Sequence, residues 1–168
     1  MINAEENMFL VEQDGSVTSV ASAIPFYVGD KKGRYIYAVA TKSSERGKGY
    51  ATVLLKYIIE YYKSDDVIML KPAEENLFNF YRKIGFVTEI NVNITEYHQK
   101  MTMGKPTKCN MEEYLNIRSG YNNFTFDRKV IDYYVDEYGY KSVKVGDTIA
   151  LYRKENDICY IDEIYGKN

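Results

Sequence analysis

The stretch Ser43-Ser44-Glu45-Arg46-Gly47-Lys48-Gly49-Tyr50-Ala51 puts two glycines and two cations at one junction, between an apolar extended run and a helical stripe. A helix amino terminus leaves several backbone N–H groups without intrahelical acceptors, and the aligned peptide dipoles place positive potential there. Gly47 and Gly49 carry no side chain, so an anion can come close to the backbone, while Arg46 and Lys48, with Lys42 nearby, add positive charge. These residue types suit a pyrophosphate, and on spacing alone a solvated, flexible basic loop suits them equally well. Two other phosphate loops do not fit the letters. A Walker loop needs G-x-x-x-x-G-K-[ST] and a dinucleotide fold needs G-x-G-x-x-G, whereas Gly47-x-Gly49 is followed by Ala51-Thr52-Val53.

Other chemistries are poorly supplied. With one histidine, His98, lying in a polar segment, triads built on histidine and multi-histidine metal sites are poor readings. Cys109 and Cys159 stand far apart without metal-ligand spacing and read as reduced structural thiols, so no metal is expected. The chain has 18 tyrosines and no tryptophan, so a tyrosine singled out for chemistry needs positional evidence beyond its abundance. A net charge of −2, with acids and bases mixed, gives no whole-surface attraction to nucleic acid or anionic membrane, and any anion must be held locally. The acidic start "MINAEENMFLVEQDG" lacks the pattern of a secretion signal, and no apolar run approaches the roughly 20 residues that span a bilayer. The expectation is a cytoplasmic protein with neither nucleic-acid nor membrane partners.

The elements that must position the junction are legible from periodicity. Met8 to Val11 and Val17 to Tyr27 flank Asp14-Gly15, a tight hairpin signal. Lys31-Lys32-Gly33 reads as a second turn and Tyr35 to Ala40 as a buried strand, which makes the first third an antiparallel meander. Ala51, Leu54, Leu55, Ile58 and Tyr62 recur at helical spacing, and Val67 to Leu70 follows as a short strand buried on both faces. Strand, helix, strand at this length predicts a parallel pair with a right-handed crossover. Leu77, Phe80, Tyr81 and Ile84 form another helical stripe, stopped by Gly85, and Phe86 to Ile94 returns to a strand. After a break at "MGKPTK", Asn110 with Glu113 predicts a capped helix through Ile117, and Asp127 caps a second helix ending at Gly139. Thr148 to Arg153 and Ile158 to Tyr165 read as a closing hairpin.

Arg46, Gly49 and Ala51 spell R-x-x-G-x-A, placed between "YIYAVAT" and "TVLLKYI", and "LFNFYRKIGF" downstream contains Y-x-K-x-G-F. Together, and in this order, they resemble the acetyl-coenzyme A motif and the helix-to-strand segment of the GNAT superfamily of N-acetyltransferases, over residues from about 8 to 94. The resemblance implies an α/β (α+β) fold with a mixed, mostly antiparallel sheet, a splayed parallel strand pair and flanking helices. It implies acetyl-CoA as cosubstrate, with Val39 and Thr41 on the strand contacting the pantetheine arm. The backbone of Arg46, Gly47, Lys48, Gly49, Tyr50 and Ala51 would hold the pyrophosphate, and Tyr81 would protonate or hydrogen-bond the departing thiolate as catalytic acid.

The chain also departs from the family pattern. Glu74 stands seven residues before Tyr81, where many members carry a cofactor-contacting asparagine, and Asn76 is the expected substitute, with Asn79 a second. Tyr35 and Tyr37 occupy the strand that often carries the base, leaving a water relay, Glu89 or a carboxylate of the tail for that role. The family's two front helices are missing before the first hairpin. The expected division is a GNAT-like core at 1–104 and a helix-helix-hairpin segment at 105–168, which either replaces those helices or is an incomplete second GNAT-like module. In both readings the tail shapes the acceptor site, within one chain or with the partner subunit of a homodimer. The implied function is direct transfer of an acetyl group to a primary amine in a ternary complex, with the acceptor unidentified. A non-catalytic acyl-CoA-binding or regulatory module is the alternative.

Overall fold

The structure, a computed structural model, describes residues 2–5, 7–88, 105–121, 124–156 and 158–166. It divides into two compact units, Met1–Val92 and Asn93–Asn168. The first unit opens with β1 (Ile2–Glu5), β2 (Met8–Gln13), β3 (Ser16–Val28) and β4 (Lys31–Thr41), each antiparallel to the one before. Helix α1 (Tyr50–Tyr61) then crosses over to β5 (Val67–Leu70), which lies parallel to β4, and α2 (Phe78–Ile84) follows. This is the mixed, mostly antiparallel sheet with one parallel pair that the motifs implied.

Local chemistry accounts for most of these elements. Asp14 and Gly15 have φ of 51° and 73°, the left-handed pair that a two-residue hairpin turn demands. Leu54, Leu55 and Ile58 of α1 are fully buried against Phe9, Ala21, Ala23 and Ile36 of the sheet. Two expectations need correction. Only residues 6–7 separate β1 from β2, so a strand precedes the expected first hairpin. The second turn lies at Gly29-Asp30, while Lys31-Lys32-Gly33 already belongs to β4. Gly33 is there for packing rather than for turning: it pairs with Phe26, and a Cβ would run into the Phe26 ring and the Val67 carbonyl oxygen. Gly33→Ala is expected to cost about 1–3 kcal/mol through overpacking, measurable as a lower denaturant midpoint.

The second unit contains β6 (Thr107–Cys109), α3 (Met111–Ser119), β7 (Phe124–Phe126), α4 (Arg128–Tyr138), β8 (Lys141–Val145), β9 (Thr148–Glu155) and β10 (Ile158–Tyr165). The Asn110 side chain accepts from the Glu113 N–H at 2.8 Å and that of Asp127 from the Lys129 N–H at 3.0 Å, as the capping pattern predicted. Gly139 ends α4 with φ 64°. Beyond the expected hairpin, β8 and β6 extend the sheet to the antiparallel order β10-β9-β8-β6. Cys109 is buried, Cys159 is exposed, and both are free. The segment 89–94, Glu89 and His98 lie outside the described residues, and Phe86 to Thr88 carry no regular element.

The second core is tied by an ion pair. Glu163 accepts from Arg118 Nε at 2.6 Å, from Arg118 Nη2 at 2.9 Å and from the Tyr114 hydroxyl at 2.5 Å. Burial disfavours the Glu163 carboxylate, yet the hydrogen bonds from Arg118 and Tyr114 outweigh it and hold its pKa below the ordinary value. A depressed carboxylate pKa adds stability that is complete above the unfolded-state value, about 4.3, and is lost as pH falls through the folded-state value. Acid titration followed by circular dichroism is therefore expected to show this unit weakening below about pH 4.3, and Glu163→Gln is expected to flatten that dependence.

Candidate functional site

Strands β4 and β5 run side by side for only four residue pairs, from Gly33↔Val67 to Ile36↔Leu70. β5 then ends, while β4 continues from Tyr37 to Thr41. On the side facing β5 this leaves about 16 Å of strand edge without a neighbour among the described residues, at roughly 3.3 Å per residue. The parting coincides with a bulge. Val20 pairs with Ala40 and Ser22 with Tyr37, so Ala38 and Val39 together oppose Ala21, and Ala38 takes a left-handed φ of 55°. A non-glycine residue in that region costs roughly 1–2 kcal/mol, and the surrounding pairing must hold it there. Val39, within the bulge, packs on the core, and the Thr41 hydroxyl shares a 2.6 Å hydrogen bond with that of Ser19.

The chain leaves β4 through a 3₁₀ turn at Ser43–Glu45 and reaches α1 through Gly47 and Gly49, at φ 79° and 88°. A Cβ at either glycine would meet nothing within 4 Å, so these glycines answer to backbone geometry and leave open space over the loop. Gly49 is the N-cap of α1 and offers no side chain to it. The first intrahelical bond runs from the Val53 N–H to the Gly49 carbonyl at 3.0 Å, and the amides of Tyr50, Ala51 and Thr52 precede it. The two cations are partly engaged. Lys48 pairs with Glu45 at 3.0 Å, and Arg46 Nε donates to the Thr41 carbonyl at 3.3 Å. The contact with Glu45 pushes the Lys48 pKa up, so Lys48 stays charged. The donor set of this loop is thus mainly backbone.

Tyr81 is buried on α2, with edge-on contacts to Phe80 at 5.1 Å and Phe86 at 6.0 Å between ring centroids. It belongs to the same packed cluster as Ile36, Leu70 and Val39, the residues around the parting of β4 and β5. Burial pushes its phenol pKa up, which keeps the proton in place at neutral pH. The remaining sequence-predicted residues are placed less favourably. The Asn76 amide donates to Glu74 at 3.1 Å and Asn79 accepts from Arg82 at 3.2 Å, so both asparagines have local partners. Tyr35 and Tyr37 stack at 6.3 Å, and burial and the neighbouring Tyr37 push the Tyr35 pKa up, which makes Tyr35 a poor base.

One contact that periodicity cannot reveal braces this region. Arg34 of β4 is buried, donates to Asp65 at 2.7 Å and Asn7 at 3.0 Å, and lies 4.0 Å from the centre of the Tyr62 ring. It fastens the strand to the end of the crossover just before the parallel pairing begins.

A family model described as the acetyltransferase (GNAT) family matches residues 1–86 of the 168. The chain belongs to this family. Among solved structures, this GNAT chain is similar to a GCN5-related N-acetyltransferase from Kribbella flavida, with TM-score 0.66 and 11% identity over 96% of this chain and 47% of that one. It is also similar to Eis1 from Mycobacterium abscessus, with TM-score 0.60 and 10% identity over 96% of this chain and 50% of that one. At such identities the likeness is one of fold, and the chain spans about half the length of either structure. No curated protein matches it significantly.

Proposed function

We propose that this GNAT chain binds acetyl-CoA along the open edge of β4 and at the start of α1, and passes the acetyl group to a primary amine in a ternary complex. The observation that carries this reading is the parting of β4 from β5 immediately before an uncapped, glycine-entered helix. An extended, amide-bearing arm fits an unpaired strand edge, where Val39 and Thr41 stand. An anion fits the amides that run from Arg46 to Ala51, and the open space over Gly47 and Gly49 admits it. Asn76 is assigned a weaker cofactor contact, reached by exchanging its bond to Glu74.

Acetyl-CoA supplies the activated acyl group as a thioester. The chain aligns the acceptor nitrogen with the acyl carbon, so that position and orientation contribute much of the rate. Backbone donors polarise the carbonyl, and the C–S bond breaks as the C–N bond forms. Tyr81, held protonated by burial, gives its proton to the leaving sulfur. A homodimer, a cytoplasmic setting and the absence of nucleic-acid and membrane partners belong to the same reading.

Calorimetry with CoA, paired with thiol release from acetyl-CoA over a panel of amines, tests both halves of the proposal. Saturable CoA binding with turnover on some amine is expected; binding without turnover on any would favour the non-catalytic reading. Gly49→Val adds a β-branched side chain where φ is 88° and the pyrophosphate is assigned. It is expected to weaken CoA at least about tenfold, and an unchanged affinity would remove the anion site from this loop.

A further inference from the structure

The second unit holds a cavity of about 250 Å³ that the acetyl-transfer reading does not use. Met111, Leu115, Phe126, Ile131, Val135 and Leu151, drawn from α3, β7, α4 and β9, give it mainly apolar walls. Its polar side is built by β10. Successive strand residues ordinarily face opposite ways, but the register of β10 against β9 shifts between Ile161 and Glu163, and both Asp162 and Glu163 line the cavity. Glu163 is already occupied by Arg118 and Tyr114. Asp162 accepts a hydrogen bond from the Tyr140 hydroxyl and is paired with Arg153 Nε at 3.8 Å, so its charge is balanced, while a carboxylate's roughly four acceptor sites leave room for one more donor. One end of an otherwise apolar cavity therefore presents an acceptor with capacity to spare.

We infer that this cavity binds a small, largely apolar molecule of about one fused ring pair, carrying a single N–H or O–H donor that bonds to Asp162. The size follows from comparison: an apolar cavity of about 150 Å³ takes benzene, and 250 Å³ leaves room for a second, smaller ring. The walls select against charge, because the Arg118–Glu163 pair and Asp162 with Arg153 are each internally balanced and offer no free counter-ion. The bulge selects for the donor, because it turns Asp162 into the cavity beside Glu163. Every residue that lines this site belongs to the second unit, and none of them is assigned to acetyl-CoA.

Indole is a suitable probe, since the chain has no tryptophan and the blue shift of indole emission on burial is read without background. The full chain is expected to bind indole saturably with Kd below about 1 mM. 1-Methylindole, which lacks the donor, is expected to bind about fivefold or more weakly. Asp162→Ala is expected to bring the two probes to equal affinity, an effect that a merely structural role for Asp162 would not produce. Val135→Phe and Leu115→Phe fill the cavity, and whichever retains the wild-type melting temperature is expected to lose at least tenfold in indole affinity. Absence of saturable binding by the wild-type chain would overturn the site, as would undiminished binding in a well-folded filled variant. Equal binding of indole and 1-methylindole by the wild type would overturn the donor assignment. Indole binding that falls as protein concentration rises, with a matching growth in mass by light scattering, would reassign the cavity to a side chain of a second copy.

Discussion

Tyr81→Phe is expected to lower kcat of acetyl transfer about 100-fold while leaving the KM for acetyl-CoA within about twofold. The substitution removes one oxygen and keeps the ring in its edge-on contacts with Phe80 and Phe86, so the packing around the parted strands survives. What is lost is the proton donor that the proposed function assigns to the leaving sulfur. A 100-fold fall corresponds to about 2.7 kcal/mol of transition-state stabilisation. The direction of the pKa shift adds a second readout. Burial raises the phenol, so the protonated form persists from acid through neutral pH and is lost only above the usual tyrosine value near 10. The wild-type profile of kcat should therefore show no falling limb from Tyr81 below about pH 10. Thiol-release kinetics across pH, with melting curves of both proteins, check these expectations; an unaltered kcat in a folded variant would strip Tyr81 of the role.

The largest expected effect on stability belongs to Asp65→Ala, at about 3–5 kcal/mol. Both members of the Arg34–Asp65 pair are nearly inaccessible, with side chains 10% and 7% exposed. Removing the carboxylate leaves the guanidinium buried with, among the described residues, the Asn7 oxygen and the face of Tyr62 for company. The cost is mainly that of an uncompensated charge, so an apolar replacement of both residues, Arg34→Met with Asp65→Leu, is expected to recover most of it. Urea denaturation of the three variants measures the coupling, and a double variant as weak as Asp65→Ala would show that the pair acts through something other than desolvation. Because Arg34 sits in β4 two residues before the parallel pairing ends at Ile36↔Leu70, the same loss is expected to loosen the strand edge assigned to the cofactor.

How far these features were readable from the letters depended on the range of the physics behind them. Asp14-Gly15, the Asn110 and Asp127 caps, the α1 stripe and the Gly47-x-Gly49 entry all follow from backbone preferences and amphipathic spacing within a few residues. Each is found where it was expected. The turn before β4 was displaced because Gly33 signals a turn by type, yet its reason is the Phe26 ring lying across it in the neighbouring strand. β6 and β8 escaped notice for a related cause. They are short, half-polar segments that become strands through pairing with each other and with β9, and the weak alternation of Lys141 to Val145 does not announce that by itself.

The chain's own letters were enough to name the family, and they singled out the loop proposed for an anion and the tyrosine proposed for acid chemistry. Tertiary structure alone decided where the sheet opens, because nothing about Ala38 favours a left-handed conformation and only the register of β3 against β4 imposes it. The same holds for Arg34 and Asp65, 31 positions apart, and for Asp162 and Glu163 facing one cavity. Contacts of that kind are set by which strands pair and how they are offset. That choice is made by the packing of the whole unit, which no short stretch of sequence contains.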